Sequence, residues 1–341
     1  MFSQKPNVAI VGSTGAVGQA MVAILEQREF PVGTLYPLAS ERSAGKTVMF
    51  RNKAVSVALL ESFDFSDVEV AFFSAGAGVS AEYAARAVAS GCVVIDNTSH
   101  FRNDPAIPLV VPEVNPSALS SHAGIIANPN CSTIQMVVAL KPIYDAVGIT
   151  RINVCTYEAV SGAGNKAMEE LAGQTAALLN GRPVEAKIMP KQIAFNAIPH
   201  IDSFQENGYT REEMKMVWET RKILEDQTIG VNPTTVRVPV FYGHSEAIHV
   251  ETREKISAQQ ARKLLGAAPG VTVVDERVDG GYPTAVTEAT DADPVFVGRI
   301  REDISCEKGL CLWVVSDNIR KGAALNSIQI AEHLLAQADP A

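Results

Sequence analysis

Residues 7–27 read NVAIVGSTGAVGQAMVAILEQ, and the fold follows from how that stretch divides. Asn7 to Val11 is a short apolar run of the kind buried on both faces of a parallel sheet. Gly12, Gly15 and Gly18 follow, and then Ala20, Val22, Ala23, Ile24 and Leu25 recur with helical period. A strand, a glycine turn and a helix make the start of a nucleotide-binding unit. The first glycine forms the tight turn, the second lets backbone approach a pyrophosphate, and the third lets helix pack on strand. The helix N-terminus then faces the phosphates. The spacing is GxxGxxG rather than the dinucleotide fingerprint GxGxxG. Gly12, Ser13, Thr14, Gly15, Ala16, Val17 and Gly18 are the expected cofactor-binding residues, with a ligand-free glycine turn as the alternative.

Further segments alternate in the same way. VEVAFFSAG (68–76) reads as a strand, VSAEYAARAVASG (79–91) as a helix stopped by Gly91, and CVVIDNTS (92–99) as another strand. Strands alternating with helices predict a doubly wound parallel sheet. The second strand, TLYPLAS (34–40), decides the cofactor. An NAD site places an acid at this strand end. Glu41 is present, but Ser40, Arg42, Ser43 and Lys46 surround it, and hydroxyls with a guanidinium suit a 2'-phosphate. NADP is therefore expected, with an ordinary solvated loop as the alternative.

The bulk numbers narrow the function classes. The 341 residues exceed one ordinary core. A net charge of -9 without a basic block argues against nucleic acid or an anionic membrane as partner. No segment approaches the ~20 apolar residues of a membrane span, and the N-terminus has no signal-peptide layout. Five cysteines without CxxC spacing, and no Cys or His pair completing a zinc set, lead to an expectation of no metal and a reduced, cytoplasmic compartment.

From about residue 129 the character changes. RINVCTYEAVSGAG (151–164) reads as a strand and turn, and KAMEELAGQTAALLNG (166–181) and TREEMKMVWETRKILED (210–226) as helices. TTVRVPVFYGHSEAIHVETRE (234–254) reads as one long strand broken at Gly243, and CLWVVSDNIRKGAALNSIQIAEHLLAQ (311–337) as a strand and helix. This half is expected to be a mixed sheet with helices on one face. NPNCST (128–133) places Cys131 directly before an apolar helical run, where a helix N-terminus favours thiolate and could stabilise an oxyanion. Buried packing is the alternative. Cys92, Cys155, Cys306 and Cys311 read as core fillers. Among the histidines, His244 stands apart beside Gly243, and Arg237 on an apolar strand needs an anion. Positions seven apart face opposite sides of a strand, so a bulge between Pro239 and Gly243 is expected to bring Arg237 and His244 to one side.

Seven motifs, GSTGAVGQ, SHFR, NPNCST, SGAG, EEMKMVWETRKIL, RVPVFYGHSEA and SDNIRKGAALN, together resemble the aspartate-semialdehyde dehydrogenases, from about residue 5 to 337. That resemblance implies NADPH-dependent conversion of aspartyl 4-phosphate to aspartate 4-semialdehyde, a step feeding lysine, threonine, methionine and diaminopimelate synthesis. It implies Cys131 as nucleophile and His244 as acid/base. It gives Arg237 the substrate carboxylate, Arg102 and Lys215 the phosphate, and Glu212 the amino group. Ser161, Gly162 and Asn318 would line the nicotinamide side. The expected domains are 1–128, completed by a C-terminal helix at 319–341, for NADP, and 129–318 for catalysis and homodimerisation. The apolar strands near Val236–Val240 and Leu310–Val315 are candidates for the dimer surface. One position departs from the family pattern. Glu158 stands where a glutamine orients the reacting intermediate, and a carboxylate beside a thiolate and a phosphate would oppose both. Glu158 is expected to be protonated, paired with a cation, or turned away. The competing readings are an N-acetyl-glutamyl-phosphate reductase and a catalytically impaired paralogue. On residue types alone, Glu212 and Lys215 would be a surface i,i+3 pair.

Overall fold

The computed structural model describes residues 3–338. The chain divides into two compact units, residues up to 130 together with those from 323 onward, and residues 131–322.

The first unit is built on a six-stranded parallel sheet, β1 (Val8–Val11), β2 (Leu35–Ala39), β5 (Ala58–Leu59), β6 (Val70–Phe73), β7 (Val93–Asp96) and β8 (Ile125–Ala127), in the order β5-β2-β1-β6-β7-β8. A separate hairpin, β3 (Thr47–Phe50) and β4 (Lys53–Ser56), follows the second strand. The central strands are apolar at every position because both faces are covered. Val8, Ile10, Val70 and Phe72 pack with Met21, Ile24 and Leu25 of α1 (Ala16–Gln27) and Ile328 and Ala331 of α7 (Leu325–Ala338). Ala9, Val11, Ala71 and Phe73 turn to the other side, against Ala84 and Ala87 of α2 (Ala77–Ala89). Each fully buried large side chain of this set contributes about 1.5–3 kcal/mol. The sheet is doubly wound, as the strand–helix alternation predicts.

The second unit holds a mixed six-stranded sheet in the order β10-β9-β11-β14-β13-β12. Its strands are β9 (Ile149–Glu158), β10 (Gly230–Arg237), β11 (His244–Thr252), β12 (Val271–Val273), β13 (Val295–Glu302) and β14 (Gly309–Ser316). β9 runs parallel to β10 and antiparallel to β11. One face is covered by α3 (Cys131–Val147), α5 (Arg211–Ile223) and α6 (Ala258–Gly266), while α4 (Asn165–Leu179) packs on the turn after β9.

The expected single long strand at 234–254 is two strands that do not pair with each other. After Arg237 the chain leaves the sheet, passes over the end of β9 and returns as β11 on its other side. Val160 and Ser161 donate to the Val240 and Phe241 carbonyls along this passage. A crossover, and not a bulge, is therefore what brings Arg237 and His244 to one face. Among the described residues, no helix is long and apolar enough to cross a membrane.

Candidate active site

Strand register builds the centre of the second unit. Arg237 of β10 pairs with Glu158 of β9, and Ser245 of β11 pairs with Tyr157, so His244 lies beside Glu158 on its other flank. Laterally paired residues share a face of a sheet. Arg237, Glu158 and His244 thus form a row across three strands, and Thr156 and Glu246 form the next row inward. All five are buried.

The helix α3 begins at Cys131. Its next residue, Ser132, donates from Oγ to Glu158 Oε1 at 2.9 Å, and Thr156 Oγ1 donates to the same oxygen at 3.0 Å. Glu158 Oε2 faces Arg237 Nη1 at 3.5 Å and His244 Nε2 at 3.7 Å. One carboxyl group therefore joins the start of the cysteine helix to the arginine and the imidazole. Burial, with the Glu212 charge adding to it, pushes Glu158 up to about 7, against the pull of Arg237 and the two hydroxyls. The residue is neither turned away nor held fully ionised by its cation. It titrates near neutrality.

His244 accepts the Ala159 N–H at Nδ1, 3.0 Å away, which leaves the imidazole proton on Nε2. Nε2 has no hydrogen-bond partner among the described residues. Burial holds the His244 pKa well below its ordinary value. The Arg237 charge adds to that, and the Gly243 backbone only partly opposes it. The ring is a neutral donor in this arrangement. Arg237 is oriented by a bond from Nη1 to the Ala159 carbonyl at 2.7 Å.

Glu212 and Lys215 are not a surface pair. Lys215 Nζ sits 2.7 Å from Glu212 and 2.8 Å from Asp202, mostly buried. Burial alone would lower the ammonium pKa, but the Glu212 and Asp202 carboxylates outweigh it and raise it. The helix that carries them, α5, starts in a capping box. Thr210 accepts from the Glu213 N–H, and the Glu213 side chain accepts from the Thr210 N–H. Glu213 also accepts the Thr235 N–H of β10 at 3.1 Å, which ties α5 to the strand bearing Arg237.

The turn after β9 presses Gly162 against the Arg237 guanidinium and the His244 ring. Ser161 and Asn318 hydrogen-bond to each other, and Asn318 Oδ1 accepts the Gly243 N–H at 2.9 Å. Three contributors escaped the sequence reading. Gln135 and Glu246 are both buried, and the Glu246 carboxyl has no partner in hydrogen-bonding geometry among the described residues, although the Gln135 amide lowers its pKa. Burial and the Glu158 charge hold Glu246 well above the usual carboxyl range. The signal was available, since Glu246 stands two residues from His244 on a strand and must share its face. Gly322 is the third. A Cβ there would lie 2.6 Å from the Cys131 Cβ, so only glycine leaves the cysteine its place.

The first unit carries the glycine turn and Arg102. Gly12 closes the end of β1 at φ +91°, and its N–H reaches the Leu38 carbonyl of β2 at 2.9 Å. A Cβ on Gly18 would fall 2.2 Å from the Gly12 carbonyl oxygen, so the helix can sit on the turn only with glycine there. Gly15 caps α1, whose first turn holds no acidic residue and no side-chain cap. Thr14, Ala16 and Val17 complete this segment, and Ser13 is buried with its hydroxyl on the Leu38 carbonyl. The cradle fits a pyrophosphate, which binds through backbone N–H groups at a helix start. Ser40 and Arg42 are exposed just beyond β2, and the buried Ser43 donates its N–H to the Ser40 carbonyl. Arg102 is buried, with Nη2 on the Asn97 carbonyl at 2.8 Å.

Two family descriptions match the chain, "Semialdehyde dehydrogenase, NAD binding domain" over residues 7–122 and "Semialdehyde dehydrogenase, dimerisation domain" over residues 140–321. A protein of Legionella pneumophila named aspartate-semialdehyde dehydrogenase is 64% identical over 98% of this chain and 96% of its own length. A structure of aspartate semialdehyde dehydrogenase II from Vibrio cholerae, described as complexed with ASA, superposes with a TM-score of 0.96 at 59% identity, covering 99% of this chain and 100% of that one. The Candida albicans protein, solved with NADP, gives 0.78 at 26% identity over 98% and 99% of the two chains.

Proposed function

The chain belongs to the aspartate-semialdehyde dehydrogenases, and from that membership we propose that it reduces L-aspartyl 4-phosphate to L-aspartate 4-semialdehyde with NADPH, reversibly, through a thioester on Cys131. The observation that carries this reading is the buried row Arg237–Glu158–His244, bonded through Ser132 to the start of the helix at Cys131.

The Cys131 thiolate attacks the acyl phosphate carbonyl, the C–O bond to phosphate breaks, and phosphate leaves. Helix N–H groups stabilise both the thiolate and the oxyanion formed by its attack. When bound, the reduced nicotinamide supplies the hydride that turns the thioester into a thiohemiacetal. The oxyanion then collapses, the C–S bond breaks, and the thiolate is regenerated with the aldehyde. His244 donates from Nε2 to that oxygen. Its tautomer supports a donor role in this direction more directly than a base. Arg237 takes the substrate α-carboxylate by a two-pronged bond. Glu212 takes the ammonium and Lys215 the phosphate. Arg102, and Ser161, Gly162 and Asn318 on the nicotinamide side, keep the roles that the family resemblance gives them.

NADP over NAD rests on Ser40, Arg42 and Ser43 beyond β2, and the Candida albicans relative was solved with NADP. A homodimer is supported by the description of the matched second domain, and a cytoplasmic location by the biosynthetic reaction. The test is phosphate-dependent NADPH formation from aspartate semialdehyde. Cys131→Ala should lose on the order of 10⁴-fold or more in turnover, and substantial residual turnover in it would overturn the thioester route.

A further inference from the structure

Spacing along the chain offers no metal-ligand set, but the fold of the second unit assembles one. His249 of β11 lies directly across from Cys311 of β14, and Cys311 Sγ is 3.2 Å from His249 Nδ1. The loop after β13 brings in Asp303. This loop is wound tightly, since the Asp303 N–H bonds to the Gly309 carbonyl and the Gly309 N–H to the Cys306 carbonyl. One donor atom from each of His249, Asp303 and Cys311 lies within 4.8 Å of the others. We propose that His249, Asp303 and Cys311 form a divalent-metal site, of the class that takes zinc, separate from the Cys131 centre.

The donor chemistry selects the metal. A thiolate, an imidazole and a carboxylate are a borderline-soft set, suited to zinc or cobalt(II) and poorly suited to magnesium or calcium. Zinc bonds of about 2.3 Å to sulfur and about 2.0 Å to nitrogen, at a tetrahedral angle, separate the two donors by about 3.5 Å. The Sγ–Nδ1 distance needs only a few tenths of an ångström of adjustment. Asp303 is already held for the task, because Oδ1 accepts the Ser305 N–H at 2.8 Å and the Ser305 hydroxyl at 2.6 Å, leaving Oδ2 as ligand. Water supplies the fourth position. Burial pushes the Cys311 thiol up. Arg301, its cross-strand neighbour, pulls it down, and Asp303 raises it again. The Arg301 guanidinium bonds to the Arg299 carbonyl, and the Lys308 ammonium to the Arg253 carbonyl. Metal binding is therefore accompanied by loss of the Cys311 proton.

The separation from the reaction follows from strand geometry. His249 and His244 are five residues apart on β11, roughly 16 Å at the usual rise. An odd spacing also puts them on opposite faces of the sheet. A metal at this position fastens the 303–308 loop to β11 and leaves the buried row untouched.

The experiment uses the full-length chain carrying Cys131→Ala, so that the catalytic thiol cannot answer for the site. The metal-free protein is titrated with cobalt(II). The expected result is a thiolate-to-cobalt charge-transfer band with tetrahedral visible absorption, saturating at one metal per chain, releasing one proton and erased by an equivalent of zinc. Adding Cys311→Ser should abolish the band, and adding His249→Gln or Asp303→Asn should weaken binding at least tenfold. No band, or a band that survives Cys311→Ser, overturns the site and leaves a simple thiol–imidazole hydrogen bond. Should Cys311→Ser fail to fold, the exposed His249→Gln variant decides, with unchanged cobalt affinity as the refuting outcome.

Discussion

Glu158 concentrates the chemistry of this chain into one side chain. Where the family resemblance expects a neutral amide, it offers a group that titrates at about 7, and in the proposed reaction its ionised form adds negative charge where the substrate phosphate and the Cys131 thiolate would be accommodated. Protonated, it is the nearest carboxyl equivalent of glutamine. Reduction of aspartyl phosphate should accordingly fall as pH rises through about 7, and Glu158→Gln should remove that fall while keeping Ser132 and Thr156 as donors to the remaining oxygen. Profiles of kcat/KM against pH for the two proteins check this, and coincident profiles would refute it. Stability carries the same sign. A carboxyl whose folded pKa lies above its unfolded value stabilises fully below the unfolded value, and that contribution is lost as pH rises through about 7. The thermal midpoint of Glu158→Gln should therefore gain on the parent as pH is raised from 5 to 8. A second residue-scale prediction concerns Gly322. A methyl group there collides with the Cys131 Cβ. Gly322→Ala should cost roughly 1–3 kcal/mol of stability and, through a displaced sulfur, on the order of 100-fold in kcat. Alkylation of Cys131 by iodoacetamide should slow in parallel, and an unchanged kcat would show that the backbone absorbs the methyl elsewhere.

Helix α5 presents Glu212 and Lys215, and its position depends on Glu213. That carboxylate closes the capping box and accepts the Thr235 N–H of the strand that ends at Arg237. Replacing it with alanine strands two buried backbone donors, at about 1–3 kcal/mol each. Glu213→Ala should lower stability by roughly 2–6 kcal/mol and raise KM for aspartate semialdehyde more than it lowers kcat, because the displaced Glu212 and Lys215 are the residues proposed to bind substrate rather than to react. Urea melts and steady-state kinetics test both halves, and a pure kcat effect would count against it. This contact also marks where sequence reasoning stopped. The glycine turn, the helix start at Cys131 and the parallel alternation were legible, because each depends on neighbours within a few residues. The route by which Arg237, Glu158 and His244 meet was not. Period two within one strand puts residues 237 and 244 on opposite faces, and only the passage of the chain over β9, a tertiary event, brings them together. On residue types alone Lys215 read as exposed for the same reason, since Asp202, one of its two partners, comes from outside its own helix.

At the scale of the whole molecule the mixed sheet has two unequal faces. One is packed under α3, α5 and α6 and holds the buried Arg237–Glu158–His244 row. On the other, Tyr157 and His249 remain exposed and Asn153, Cys155, Ala247 and Trp313 half-buried. The expected dimer surface at Leu310–Val315 is largely internal. Leu310, Leu312 and Val314 point into the core, and Val315 lies under the 285–289 segment, which leaves Trp313 as the accessible ring. Tyr157 and Trp313 touch, with centroids 5.6 Å apart, and make the aromatic centre of the open face. An aromatic pair at the middle of an otherwise open sheet is the usual anchor of a subunit interface, and losing one such residue costs 2 kcal/mol or more, at least ~30-fold in dissociation constant. Tyr157 is also the residue next to Glu158 on β9, so whatever covers it constrains the pleat that places the carboxyl between Arg237 and His244. Tyr157→Asp should shift sedimentation from twice the chain mass toward the monomer at micromolar concentration, and turnover per chain should fall with dilution in step with dissociation. A variant that stays fully dimeric would move the interface off this face, and a monomer with undiminished turnover would mean that β9 holds its register without a partner.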